Sequence, residues 1–301
     1  MLGRLNEFVV VFISIVLQSL PFILVGVFAS ALMQRYLSER TVLRWMPRRP
    51  LPAVLVSSLF GLVAPVCDCG AIPLGRRLAA KGVPLYAAVT FMLAAPVVNP
   101  VVLLATAVAF QGNWRVVALR MAMTLSVALA VGLLASARFP ATRQTRPAPA
   151  PVRGGSLDWE LPPRAGRPAG LFGHANAEFF DVGFFIVLGA LFTAATQTIV
   201  PRGDLAAVGT NRVGSILALM PVATLLSICS EADAFVARAF STTFSLGAVL
   251  AFMTIGQIVD LRNGALLLRT LGWRLVLLIG AVSYGLIFLE ALAINLVLPR
   301  L

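Results

Sequence analysis

The chain has 301 residues, of which 59% are hydrophobic and 12% charged, and its formal charge is +12. A soluble domain carries about twice that charged fraction, and several apolar stretches exceed the roughly 18 residues of a membrane-spanning helix, so a soluble globular protein is excluded. The charge is almost all arginine set between the apolar runs, where it meets lipid headgroups; no Lys/Arg run interleaved with aromatics exists, and no nucleic-acid partner is expected.

In chain order, the first apolar segment covers about residues 8–33. It lacks a small-residue cleavage pattern and reads as a retained first helix rather than a signal peptide. Three more follow at about 53–75, 84–110 and 115–137. A segment rich in Pro, Arg, Gly and Ala, 138–176, then interrupts the membrane character; it cannot bury enough apolar surface to fold alone and reads as a cytoplasmic linker. Apolar segments resume at about 178–200, 213–238, 244–262 and 273–297. The expected architecture is all-α and polytopic, with about eight transmembrane helices. An N-terminal unit, 1–137, and a C-terminal unit, 177–301, flank the linker. If all eight segments cross, both termini share the linker's face, and Lys and Arg then divide almost evenly between the two faces. A broken or re-entrant second segment in each half would alter that parity.

The two units read as copies. Pro21 to Gln34 aligns with Phe184 to Gln197, matching Gly26 to Gly189 and Gln34 to Gln197. At nearly the same offset Cys67 pairs with Cys229 and Arg76 with Arg238, and after a one-residue slip Asn99 pairs with Asp260. Apolar matches between helices arise by chance, so the polar pairs in constant order carry the expectation of an internal repeat. Duplicated transporters hold substrate near mid-membrane, at discontinuous helices in corresponding positions of the repeats.

The candidate site residues are Cys67, Asp68, Cys69, Asn99, Cys229, Glu231, Asp233, Gln257 and Asp260. Counted from the turn near Lys81 to Pro84, Cys69 and Asn99 lie about 20–25 Å along their helices. Glu231 and Asp233, and Gln257 and Asp260, flank the turn at Ser241 to Ser245 by similar counts. Cys67 and Cys69 would point about 200° apart on a regular helix. Pro65, Gly70 and Pro73 can interrupt that helix, as Pro96 and Pro100 can around Asn99, and backbone freed at membrane depth is tolerated only where it lines a cavity or is buried in protein. The expectation is therefore a broken helix presenting thiols, a carboxylate and backbone groups to a cavity. In the second half Cys229 and Asp233, at i and i+4, would share a helix face.

Blander roles stand beside these. Cys229 alone reads as a small packing residue, Asp260 as a salt-bridge partner of Arg262, and Gln34 and Gln197 as helix glue. Arg76, Arg77 and Arg238 read as snorkelling to headgroups or, less simply, as counter-ions to Asp68 or Glu231. Intramembrane acids default to function. The three cysteines do not make a disulfide framework. They read as reduced and as soft-metal ligands (Cys67, Cys69, Cys229), and the single histidine, His174, rules out a multi-histidine site.

On "CDCGAIPLGRRLAAKGVPLYAAVTFMLAAPVVNPVVLL" and "CSEADAFVARAF" the chain resembles a predicted-permease family that includes ArsP-type organoarsenical exporters and YraQ-type membrane proteins. The resemblance rests on the Cys-x-Cys-Gly element, the proline-asparagine-proline segment and the later Cys-Ser-x-x-Asp-Ala-Phe element, and it covers most of the chain outside the linker. It implies a multi-pass plasma-membrane permease of about eight helices and, for the ArsP-type branch, export of trivalent organoarsenicals through thiol contacts. Asp68 stands where many relatives carry a small polar residue such as serine, and its carboxylate favours a cationic metal over a neutral arsenical.

The function expected is efflux of a thiophilic metal or metalloid by a secondary transporter. The partners expected are the bilayer, a small inorganic or organometalloid substrate and, in some settings, a membrane or cytoplasmic subunit. The alternative is a non-transporting membrane subunit of a metal-trafficking assembly. No Walker-type phosphate loop is present, so energy comes from a gradient or a partner ATPase. No cofactor is expected, and an enzyme is not: no histidine lies in the apolar segments and no aspartate-rich metal signature occurs.

Overall fold

The computed structural model describes residues 49–138 except 63–65, 67 and 81, and residues 212–298 except 231 and 242. Pro47 and scattered positions in 6–17 and 187–194 are also described. Among the described residues the secondary structure is helical. In order these are α1 (Pro50–Leu59, with a 3-10 turn Phe60–Leu62), α2 (Asp68–Ala80), α3 (Leu85–Ala94), α4 (Pro100–Ala109) and α5 (Trp114–Arg138), then α6 (Arg212–Leu226), α7 (Asp233–Phe240), α8 (Leu246–Ile258), α9 (Leu261–Leu271) and α10 (Trp273–Val297). The first and fifth apolar segments lie largely outside the described residues, and the linker almost entirely.

Only α5 and α10 are, among the described residues, single helices long and apolar enough to cross a bilayer. Segments 53–75, 84–110 and 213–238 are each a pair of helices, and the end of 244–262 opens α9. The physical causes are local. Pro100 takes the first position of α4, where its missing N–H is not needed. Ser227 at φ 45° ends α6 in a conformation that L-residues rarely adopt. Gly112 and Gly272, both at φ 81°, turn the chain into α5 and α10.

Specific contacts give the direction of each piece. Gly132 on α5 faces Thr90 of α3 and Val54 of α1, whereas Arg120, nearer the start of α5, bonds Thr106 of α4. So α3 and α4 run in succession antiparallel to α5, and their break lies at its middle. A Cβ on Gly61 would come within 2.6 Å of Ala95 Cα, so the end of α1 abuts this break. α2 returns along α3, with Gly75 against Met92. α1 and α2 thus form a hairpin whose tip sits midway along α5 and whose base lies at the C-terminal end of α5.

The second half packs in the same order. Ser215 near the start of α6 meets Ser245 at the start of α8, and further along α6 the Thr224 hydroxyl meets that of Tyr284 in α10. Ser227, just past α6, accepts from the Leu261 amide. α8 runs antiparallel to α10, with Gly247 N–H donating to Asn295 Oδ1 at 2.8 Å. α6 and α7 therefore form a second hairpin, its base at the C-terminal end of α10. Arg238 of α7 lies over the ring of Phe110 at the far end of α4, 5.9 Å from its centroid. The two hairpins consequently enter from opposite ends of the bundle, and α5 and α10 are antiparallel.

α3 and α8 are the central helices of one continuous core. Every residue of α8 after Leu246 is buried, as is every residue of α3 after Leu85, so these helices are apolar all round. The outside is apolar too: Leu55, Leu59, Leu104, Val108, Leu277 and Leu289 are all exposed, a surface suited to lipid rather than water.

Candidate functional site

The polar centre of the bundle is organised by a residue that the sequence reading did not single out. Arg120 on α5 is fully buried. Its Nη2 donates to both carboxylate oxygens of Asp233, at 3.0 and 2.8 Å, and its Nη1 donates to Thr106 Oγ1 at 2.7 Å. Nη2 also reaches the Ser230 carbonyl at 3.3 Å. Gln257 Nε2 of α8 donates to Asp233 Oδ2 at 2.7 Å. Arg120 and Thr106 precede the linker, while Ser230, Asp233 and Gln257 follow it, so this ion pair clasps the two halves.

The clasp is not saturated. Arg120 Nε, Gln257 Oε1 and Ser230 Oγ are buried without a hydrogen-bond partner among the described residues. Buried polar groups normally find partners, so the site has spare donor and acceptor capacity.

Of the candidate residues, Asp233 and Gln257 are brought into direct contact. Asn99 and Asp260 are buried but spend side-chain oxygens on capping the helices that follow them. Asn99 Oδ1 accepts from the Val101 amide at 2.9 Å, and Asp260 Oδ1 accepts from the Asn263 amide. Each stands in the break after a fully buried helix. Cys229 is not inside a helix: α6 ends at Leu226 and α7 begins at Asp233, and Cys229 lies at the tip of the second hairpin, where a single helical turn joins it to Asp233, its carbonyl accepting from the Asp233 amide at 3.0 Å. The break arises without a proline in the motif, because Ser227 takes a positive φ. Asp68 and Cys69 open α2 at the tip of the first hairpin. Their side chains, and all of Cys67 and Glu231, lie outside the described residues. Among the described residues no three His, Cys, Asp or Glu side chains gather into a metal cluster. Arg76 and Arg238 are exposed, in keeping with snorkelling.

Sequence reasoning missed Arg120, Thr106 and Ser230. The available signal was an arginine lying within the apolar segment 115–137, where an ionisable side chain defaults to function.

The ArsP_1 family, described as a predicted permease, matches residues 4–296. The chain belongs to this family. The permease is 42% identical over 269 residues, 89% of its length and 90% of the relative's, to UPF0718 protein YcgR of Bacillus subtilis. It is 32% identical over 84% of its length and 83% of the relative's to a Streptococcus mutans protein named "Putative two-component membrane permease complex subunit". With UPF0718 protein YraQ of Escherichia coli it shares 26% identity over 74% of its length and 72% of the relative's. No solved structure matches. The permease is therefore a membrane protein, and its family points to a transporter rather than an enzyme.

Proposed function

We propose that the permease is a multi-pass plasma-membrane transporter built as two inverted repeats, exporting a thiophilic metal or metalloid species from a site between its hairpin tips. The observation that carries this reading is the pair of hairpins entering from opposite ends, each with its tip beside a helix break halfway along a long helix. Transporters of inverted-repeat design bind substrate at such discontinuities and alternate access by rocking one half against the other. Duplication is supported by the shared packing order, the equivalent caps at Asn99 and Asp260, and the glycines at φ 81° before α5 and α10.

In this topology the hairpins do not cross. Each half crosses by its first apolar segment, its broken pair and its long helix. Both termini then lie on the face opposite the linker, rather than on the same face as eight crossings require. The charges favour this arrangement. Arg35, Arg40, Arg44, Arg48, Arg49, Arg76, Arg77, Lys81, Arg138, the linker arginines, Arg269 and Arg274 collect on one face, against Arg4, Arg115, Arg202, Arg212, Arg238 and Arg300 on the other. That asymmetry marks the linker face as cytoplasmic. Reporter fusions provide the check: a phosphatase active only outside the cytoplasm is expected to be active at the C-terminus and inactive within 138–176, and equal activity at both would restore the even topology.

At the tips, Cys67, Cys69 and Cys229 supply sulfur ligands, and Asp68, Glu231 and Asp233 supply cation charge or proton acceptors. Asn99, Gln257 and Asp260 border the same level. An unbiased metal and metalloid sensitivity panel on cells lacking or overproducing the permease tests the reading. Deletion is expected to sensitise cells to a thiophilic species, and Cys69→Ala or Glu231→Ala is expected to abolish resistance while the protein stays inserted. Unchanged sensitivity across the panel would overturn export of such a species.

A second reading follows from the relative named as a complex subunit: the permease works with a partner protein. A stable second protein on purification, together with no flux by the isolated chain in vesicles, is the result that would favour it.

A further inference from the structure

Glu290 is an acid inside the long helix α10, and the site described above makes no use of it. We propose that Glu290 and Ser126 form a proton-binding site between the two halves, loaded when they are closed together and emptied to water when they part. This rests on the transport reading above, because rocking of the halves is what separates Ser126 from Glu290, both half-buried here.

The chemistry is a matter of counting protons. Ser126, midway along α5, has its hydroxyl oxygen within hydrogen-bond reach of both Glu290 Oε1 and the Met123 carbonyl, the latter at 2.7 Å. A serine hydroxyl carries one proton and cannot donate to both. With Glu290 ionised, Ser126 donates to Oε1. With Glu290 protonated, Oε1–H donates to Ser126 Oγ, and the Ser126 proton turns to the Met123 carbonyl. Both protonation states are satisfied with the heavy atoms in place, as a group that loads and releases a proton requires.

In the closed arrangement Glu290 Oε2 is buried without a hydrogen-bond partner among the described residues, and a buried charge left unpaired is costly. No described cation relieves it. On α5, Arg120 is committed to Asp233, and Arg115 and Arg138 are exposed near the ends. α8 carries no ionisable side chain. On α10 itself Arg274 is exposed and Tyr284 is bonded to Thr224. The side chains of Arg212 on α6 and of Arg262 and Arg269 on α9 lie outside the described residues. Ser126 and Met123 belong to the first half and Glu290 to the second, so parting the halves breaks the Ser126–Glu290 hydrogen bond and opens a route for the proton to water.

The test uses the purified full-length permease and dicyclohexylcarbodiimide, an apolar reagent that modifies protonated carboxyls away from water. Sites of modification are mapped by peptide mass spectrometry. Glu290 is expected to label at neutral pH, with its rate falling at least about tenfold through one step as pH rises. Ser126→Ala removes the hydrogen bond that favours the charged form more than the neutral one, so the step is expected to move to higher pH; a purely structural role would leave it in place. Glu290→Gln is expected to lose that label while other carboxyls keep theirs. Absence of Glu290 labelling between about pH 5 and about pH 9 while other acids react, or labelling independent of pH, would overturn the proton site. Neither result bears on the metal and metalloid panel, so failure here is distinguishable from failure of the export reading.

Discussion

Arg120→Leu is expected to destabilise the permease by about 3–5 kcal/mol, and adding Asp233→Leu is expected to recover most of that loss. The single substitution strands a carboxylate that is 2% exposed, with only Gln257 left of its side-chain partners. An unpaired buried charge costs far more than a paired one, whereas an apolar pair of similar volume is often neutral or better. Thr106 and the Ser230 carbonyl also lose a donor, which adds to the single-mutant loss and accounts for incomplete recovery. Unfolding midpoints of the purified protein for the wild type, both singles and the double give the coupling energy. Simple additivity would mean that the two side chains do not interact. Transport is expected to separate from stability: the double variant folds but lacks the clasp between α5 and α7, so its resistance phenotype is lost even where its thermal midpoint returns.

Gly61→Val is the second large effect. Its new Cβ would sit 2.6 Å from Ala95 Cα and 2.9 Å from the Ala95 carbonyl oxygen. Those are backbone atoms in the turn between α3 and α4, with no flexible side chain to swing away. Overpacking of this kind costs about 1–3 kcal/mol. Because the turn after α1 abuts the break at this point, the added side chain forces the two apart. The measurement is the thermal midpoint of Gly61→Val against that of Gly280→Ala, whose Cβ would meet nothing within 4 Å. A large drop for the first and almost none for the second is expected. Equal midpoints would mean that the hairpin does not press on the break.

Much of this was legible in the residues. The apolar runs announced a membrane protein, and Pro96, Asn99 and Pro100 marked a break that appears at that place, with Asn99 as the cap of α4. Asp233 and Gln257, chosen because polar groups are expensive in a bilayer, do meet. The second-half break was less legible: the expected shared face of Cys229 and Asp233 assumed a continuous helix, and a serine at positive φ gives no compositional warning. Arg120 was not singled out, although it lies within the apolar segment 115–137. Glu290 sits within "YGLIFLEALAINLVL", where the same cost argument applied to Asp233 would have marked it.

By itself, the order of residues determined the solvent of this protein, the place of its first-half break and the family to which it belongs, since apolar length, proline and polar spacing act locally along the chain. Only the tertiary structure decided that the two hairpins enter from opposite ends and that Arg120 finds its carboxylate 113 positions away. The physical reason is that an apolar segment reads alike whether it crosses or turns back, and a buried charge selects its partner by proximity after the helices have packed.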